Sequence, residues 1–246
     1  MAQWLTGKVV ENYRWNDTLF SLRVVTEHFP FTAGQFVRLG LQGEEQRIQR
    51  AYSLVNGPHE SVLDFLVTRV EDGLLSPSLD KLQPGDEVEV SQPPSGFFVL
   101  DEIPDGDTLW LLSTGTGIGP YLSILSTDAP WRRFNKIVLV HAVRHAEDLA
   151  YQAKIEAWQQ QHPEQLVYQP VVSREQVPGI LKGRIPQLIE TGELQQSVGQ
   201  AFDDKSQVML CGNPDMIRDC KALLDSMGLK KNLRRKPGQV TAEQYW

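Results

Sequence analysis

The sequence predicts two domains of different build. Residues 1–100 read as an antiparallel β-barrel and residues 101–246 as an α/β domain with a doubly wound parallel sheet. Three observations lead there. Short alternating segments, separated by Gly, Pro and Asn turns, fill the first hundred residues, the spacing of a barrel or sandwich. After Asp101-Glu-Ile-Pro-Asp-Gly-Asp, apolar strands alternate with longer amphipathic segments, which is βαβ rhythm. A chain of 246 residues with 41% hydrophobic content has length enough for two packed cores.

In order, the strand candidates of the first half are Lys8–Asn12, Phe20–Val25, Gln35–Leu39 and Leu63–Val70, each close to period-two alternation. The turns between them are Ala33-Gly34, Asn56-Gly57-Pro58, Glu71-Asp72-Gly73 and Gln83-Pro84-Gly85-Asp86. One helix is expected from Ser76, with Ser76 as its cap and Pro77 at the first helical position. In the second half, strands are expected at Thr108–Ser113, Lys136–His141, Leu166–Val172 and Gln207–Cys211. Helices are expected at Tyr121–Leu125, Ala146–Gln161, Ile185–Thr191 and Pro214–Met227.

The first strand of the second half runs into Gly115-Thr116-Gly117-Ile118-Gly119-Pro120 and then a helix. Small residues at such a turn let backbone N–H groups approach a pyrophosphate, although Pro120 replaces the last glycine of the fingerprint and a plain tight turn reads the same. An NAD site would put a carboxylate at the end of the next strand. Here the strand ends in Ala142-Val143-Arg144, the third in Val172-Ser173-Arg174, and Gly183-Arg184 follows. Ordinary surface arginines would look alike, but three of them at strand ends favour the 2′-phosphate of NADP over NAD. The last strand ends in Cys211-Gly212-Asn213-Pro214. Cys211 reads either as a small buried apolar residue or as a thiol packed on a nicotinamide. With no His or Lys beside it in sequence, it does not read as a nucleophile.

In the first half, Arg50-Ala51-Tyr52-Ser53 offers a cation, an aromatic ring and a hydroxyl along one strand, Arg50 and Tyr52 on one face, Ala51 and Ser53 on the other. Asp72-Gly73-Leu74-Leu75-Ser76 places a glycine turn before a helix, a second place for a phosphate.

Taken in order, the motifs R-x-Y-S at Arg50, G-x-L-S at Gly73, G-T-G-x-G-P at Gly115 and C-G-N-P at Cys211 resemble the ferredoxin–NADP reductase family over essentially the whole chain. Gly34-Gln35-Phe36 and the ending Ala242-Glu243-Gln244-Tyr245-Trp246 are most similar to its bacterial ferredoxin/flavodoxin branch. The resemblance implies a flavoprotein that passes a hydride from NADPH to N5 of FAD and exchanges single electrons with flavodoxin or ferredoxin. It implies that Arg50 pairs with the FAD pyrophosphate, that Tyr52, with Ala51 beside it, stacks on the isoalloxazine, and that Ser53 lies near N5. Leu66, Val67, Thr68 and Arg69 would line the flavin's other side, while Leu74, Leu75 and Ser76 hold the pyrophosphate. Thr116 would lie where the two domains meet. Val143, Arg144, Ser173, Arg174 and Arg184 would take the NADP adenosine, and Asn213, Pro214, Asp215 and Asp219 would follow the dinucleotide. Trp246, preceded by Tyr245, would cover the flavin face that the nicotinamide reaches; plant-type members end at the tyrosine. Ser53, Cys211 and Trp246 would stand nearest the chemistry.

Composition narrows the alternatives. A net charge of −7 argues against nucleic acid, but from Lys221 on there are six Lys or Arg against two acidic residues, whereas 18 face 29 before it. The basic end, Lys230 to Lys236, is expected to dock an acidic carrier transiently, or else to be a solvated tail. Two cysteines favour a reducing cytoplasm and exclude, within this chain, an iron–sulfur domain, which needs about four. No apolar stretch reaches the ~20 residues of a membrane helix, no secretory signal is seen, scattered histidines suggest no metal, and nothing demands more than a monomer. Two other readings stay open: an NADPH-dependent flavin or dye reductase of the same superfamily, and a non-enzymatic flavin-binding redox module.

Overall fold

A computed structural model describes residues 3–27, 30–43 and 46–245. The chain forms two compact units. One holds the described residues up to Val99 together with Gly119–Thr127; the other holds Leu100–Ile118 and the described residues from Asp128 on.

The first unit is a six-stranded antiparallel sheet curled into a half-barrel. Its strands are β1 (Gln3–Arg14), β2 (Leu19–Val25), β3 (Phe36–Gln42), β4 (Arg47–Ser53), β5 (Leu63–Thr68) and β6 (Glu87–Gln92), in the order β4-β3-β6-β1-β2-β5. β1 outruns its expected length because a bulge between Val9 and Glu11 lets one strand serve two partners, β6 along its first half and β2 along its second. Phe20, Leu22 and Val24 of β2 meet Val37, Leu39, Phe65, Val67, Val88 and Val90 in the core. Each such fully buried side chain contributes about 1.5–3 kcal/mol.

The short helix α1 (Ser76–Asp80) starts where expected, but its cap is not Ser76. The N-cap is Leu75, which makes no side-chain cap, and Ser76 Oγ instead accepts the N–H of Val70 at 3.0 Å. That bond closes the Val70–Ser76 loop, and Gly73 N–H donating to the Val70 carbonyl at 2.9 Å tightens it further. Asp80, 7% exposed at its side chain, takes the guanidinium groups of Arg14 (2.7 Å) and Arg69 (3.2 Å), while Asn12 donates to the carbonyls of Leu79, Asp80 and Leu82. A buried carboxylate with two partners fixes the helix, and removing one partner would leave an uncompensated charge. The helix α2 (Gly119–Leu125) packs within this unit too: Ser123 Oγ donates to Asn56 O at 2.6 Å, and the rings of Tyr121 and Phe98 lie 5.8 Å apart.

The second unit is a six-stranded parallel sheet. Its strands are β7 (Thr108–Thr114), β8 (Lys136–Val143), β9 (Leu166–Val172), β10 (Leu181–Lys182), β11 (Ser206–Gly212) and β12 (Val240–Gln244), in the order β10-β9-β8-β7-β11-β12. Around them lie α3 (Ala129–Arg133), α4 (Gln152–Gln161), α5 (Ile185–Glu190), α6 (Glu193–Val198) and α7 (Pro214–Ser226). The single helix expected over Ala146–Gln161 is broken. A 3-10 turn at Ala146–Asp148 precedes α4, and Tyr151 between them has φ +60, a left-handed conformation that ends one helix direction and starts another. From β7 the chain winds outward to β10, then returns to lay β11 on the other side of β7. That reversal makes a crevice at the carboxyl ends of β7 and β11, where ligands of such sheets bind.

Candidate functional site

Two turns interlock at the crevice. β7 leads into a 3-10 turn, Gly115–Ile118, and β11 leads into Gly212-Asn213. A Cβ on Gly117 would stand 2.7 Å from the Cys211 carbonyl, and one on Gly212, which has φ +125, would stand 2.2 Å from Thr114 Oγ1. Thr114 Oγ1 also accepts the N–H of Asn213 at 2.8 Å. Only glycine lets backbone approach this closely. The Asn213 side chain caps α7 by accepting from Asp215 N–H (2.9 Å) and Met216 N–H (3.2 Å), with Pro214 at the first helical position.

Cys211 is fully buried beside these turns. Burial, followed by the charge of Glu243, pushes its thiol well above the usual range, so it stays a thiol. Its register partner on β12 is Glu243, a residue the sequence reading passed over. Burial raises the Glu243 carboxyl to about 7, and its Oε1 has no partner among the described residues. Such a group can hold or give up a proton near neutral pH. The sequence carries no signal for it: Val240-Thr-Ala-Glu-Gln is mixed in polarity, and its burial comes from pairing with β11. Tyr245 extends the ladder, its N–H donating to the Gly212 carbonyl at 3.1 Å. Trp246 lies outside the described residues.

Further along the same sheet edge, the ladder continues past the strand ends. Ser173 N–H donates to Val143 O (3.0 Å), Arg174 N–H to Arg144 O (2.9 Å) and Gly183 N–H to Val172 O (3.1 Å). Ser173 Oγ donates to Val143 O at 3.2 Å. These bonds bring Val143, Arg144, Ser173, Arg174 and Arg184, the N-cap residue of α5, to one edge. Arg144, Arg174 and Arg184 are exposed and, among the described residues, make no ion pair. The nearest acid in sequence, Glu175, is occupied: its carboxylate accepts Ala146 N–H at 2.6 Å and lies 3.7 Å from His145. Three unpaired guanidinium groups suit a phosphate dianion. Asp215 and Asp219, by contrast, are both held by Arg218, at 2.6 and 2.9 Å.

On the first unit, the Arg50–Ser53 stretch of β4 runs from outside to inside. Arg50 and Ala51 are exposed, Tyr52 is half-buried and Ser53 is buried. The expected two-face split therefore holds only loosely, because β4 is an edge strand of a curled sheet. Arg50 donates to the Gln49 carbonyl at 2.7 Å and makes no ion pair among the described residues. Burial pushes the Tyr52 phenol up to about 12, with Arg50 pulling the other way, so the ring stays neutral beside the cation. Leu66 and Val67 are buried, Val67 within the barrel core, so Val67 presents only backbone outward; Thr68 is exposed. Leu75 is likewise a core side chain, while Leu74 is exposed. Among the described residues the N–H groups of Leu74, Leu75 and Ser76 find no protein acceptor. Three free donors and the unpaired Arg50 are what a pyrophosphate requires.

The basic segment is unevenly neutralised. Lys230 pairs with Asp225 (2.9 Å) and Arg234 is bidentate on Glu102 (2.6 and 3.0 Å). Lys231, Arg235 and Lys236 are exposed and unpaired among the described residues. Lys231 lowers the affinity of half-buried Lys221 for its proton, after burial, the mark of unbalanced positive charge. No helix among the described residues is long and apolar enough to cross a membrane.

Comparison with known proteins agrees with this geometry. Residues 8–99 match the oxidoreductase FAD-binding domain family and residues 111–222 the oxidoreductase NAD-binding domain family. A flavodoxin/ferredoxin–NADP reductase of Escherichia coli is 52% identical over the full length of both chains, and a ferredoxin–NADP reductase of Pseudomonas aeruginosa is 37% identical over 99% of this chain and 98% of its own. The crystal structure of a ferredoxin NADP+ reductase from Neisseria gonorrhoeae with bound FAD and NADP superposes over 100% of both chains, with a TM-score of 0.94 at 30% identity.

Proposed function

Because the chain belongs to the flavodoxin/ferredoxin–NADP reductase family, we propose the following assignment of its residues to that activity. The protein is an enzyme that moves electrons between NADPH and flavodoxin or ferredoxin through FAD. The choice of NADP over NAD rests on one observation, the three unpaired guanidinium groups of Arg144, Arg174 and Arg184 on one sheet edge.

The chemistry that FAD would supply at this site is that of a hydride acceptor at N5 that can also exchange electrons singly. This chain's own residues bind and orient. Arg50 and the N–H groups of Leu74, Leu75 and Ser76 hold the pyrophosphate. Tyr52, a neutral ring on an edge strand, stacks on the isoalloxazine, with Ala51 beside it and Ser53 toward N5. Leu66, Val67 and Thr68 supply backbone along β5, and Arg69 is kept in place by Asp80. Arg144, Ser173, Arg174 and Arg184, backed by Val143, take the adenosine and its 2′-phosphate. Thr116, Asn213, Pro214, Asp215 and Asp219 follow the dinucleotide, the two acids acting through Arg218. Cys211 packs against the nicotinamide as a neutral thiol, and Glu243 beside it on β12 can hold or give up a proton near neutral pH. Tyr245 and Trp246, the latter outside the described residues, are assigned to the flavin on the family resemblance alone.

An acidic carrier docks transiently at Lys231, Arg235 and Lys236. The enzyme works as a monomer in the cytoplasm, a compartment that suits two free, buried cysteines. The purified protein is expected to be yellow, to elute as a single 27.8 kDa chain, and to bleach with NADPH much faster than with NADH. A colourless protein after saturation with FAD, or equal use of both coenzymes, would refute the assignment.

A further inference from the structure

His141 is the sixth residue of β8, in the apolar run Lys136-Ile-Val-Leu-Val-His-Ala-Val near the middle of the sheet. It is fully buried. An imidazole in such a place forfeits hydration, and hydrogen bonds ordinarily offset that loss. Here the offset is half made. Nε2 lies 2.9 Å from the Gly115 carbonyl, and Nδ1 has no partner among the described residues. A carbonyl only accepts, so the proton sits on Nε2 and the ring donates. Burial holds the ring neutral, its pKa pushed down to about 4, so the same tautomer persists at physiological pH.

The bond's target is the first residue of the dinucleotide turn. Gly115 has φ +55, and a Cβ there would meet nothing within 4 Å, so the side-chain position of this residue opens away from the packed sheet. The peptide is held from within. Ser113 Oγ donates to Val140 O at 2.8 Å, and one residue on, His141 reaches past the end of β7 to Gly115. In a trans peptide the C=O and N–H point in opposite directions. A Gly115 carbonyl drawn inward to His141 therefore aims the Thr116 N–H outward, toward the open side of the turn.

We propose that His141 is a positioning residue for the dinucleotide: by anchoring the Gly115 carbonyl, it presents the Thr116 N–H to the nicotinamide half of NADP(H). This rests on the NADP reading above and extends it to a side chain that never touches the coenzyme. The adenosine half, held by the arginine edge, is independent of it.

The test uses the FAD-loaded enzyme and two ligands, NADP+ and adenosine 2′,5′-bisphosphate, which carries only the adenosine half. His141→Leu removes the donor. His141→Asn keeps polarity but is too short to reach Gly115. His141→Gln restores an N–H at similar reach. Leu and Asn variants should bind NADP+ about tenfold more weakly, the scale of one lost hydrogen bond, with affinity for the bisphosphate unchanged, and Gln should recover most of the loss. Unchanged NADP+ affinity in the Leu and Asn variants would overturn the proposal. So would a parallel loss for both ligands, which would mean that His141 supports the unit as a whole. Wild-type protein that bound neither ligand would overturn the NADP reading itself.

Discussion

The crevice at β7 and β11 and the arginine edge at β8 to α5 belong to one sheet, yet they are made by opposite means. At the crevice, backbone meets backbone: Gly117 faces the Cys211 carbonyl, Gly212 faces Thr114, and buried groups carry no net charge that solvent can reach. At the edge, the backbone only continues the ladder, and the chemistry is on exposed cations without partners. A site of the first kind tolerates almost no added atom. A site of the second kind tolerates much, but depends on charge and on salt.

The largest effect should therefore come from the smallest change. Gly212→Ala adds one methyl 2.2 Å from Thr114 Oγ1 and 2.7 Å from its carbonyl, at a φ of +125 that side chains rarely adopt. One of the turns must move. We expect kcat/KM for NADPH to fall at least about 100-fold, roughly 2.7 kcal/mol, while the first unit still binds FAD. Stopped-flow reduction of the flavin reads this directly, and near-normal rates would show that the crevice is not close-packed.

The edge should respond less and more selectively. Arg174→Ala or Arg184→Ala removes a charge-assisted contact worth about 1.5–3 kcal/mol, so KM for NADPH should rise roughly 10- to 100-fold. NADH, without the 2′-phosphate, should be oxidised as before. The rise should shrink in high salt, since the wild-type contact is itself screened. A parallel loss with NADH would mean that these arginines support the fold.

This division also decides what a reader of the sequence could see. Residues repeated with a period were legible: the core strands of both units and the span of α7. β6 had perfect alternation in Glu87-Val-Glu-Val, yet it lies hard against the Gln83–Asp86 turn and was absorbed into it. β12 was hidden because its burial comes from pairing with β11, not from its own apolar content. α3 and α6 are five and six residues long, too short to show a period. The arginine edge was legible because strand ends can be read and a missing carboxylate is conspicuous. His141 and Glu243 were not, because what distinguishes them is burial without full hydrogen bonding, a property of three-dimensional packing.

The same contrast between engaged and free charge can be carried to the basic segment, where the expected effect is smallest. Lys230 and Arg234 already face Asp225 and Glu102, so their fields are largely cancelled at a distance. Lys231, Arg235 and Lys236 are not cancelled among the described residues. Steering depends on net field and not on the count of cations. Reversing Lys231 and Arg235 to Glu should slow electron delivery to flavodoxin several-fold at low salt, with the difference fading toward 0.5 M salt, and should spare reduction of a small neutral dye. Neutralising each pair whole, Lys230→Gln with Asp225→Asn and Arg234→Gln with Glu102→Gln, leaves the net charge as it was and should change the rate less. If the paired cations mattered as much as the unpaired ones, the carrier would be reading shape or specific contacts in this segment and not its field.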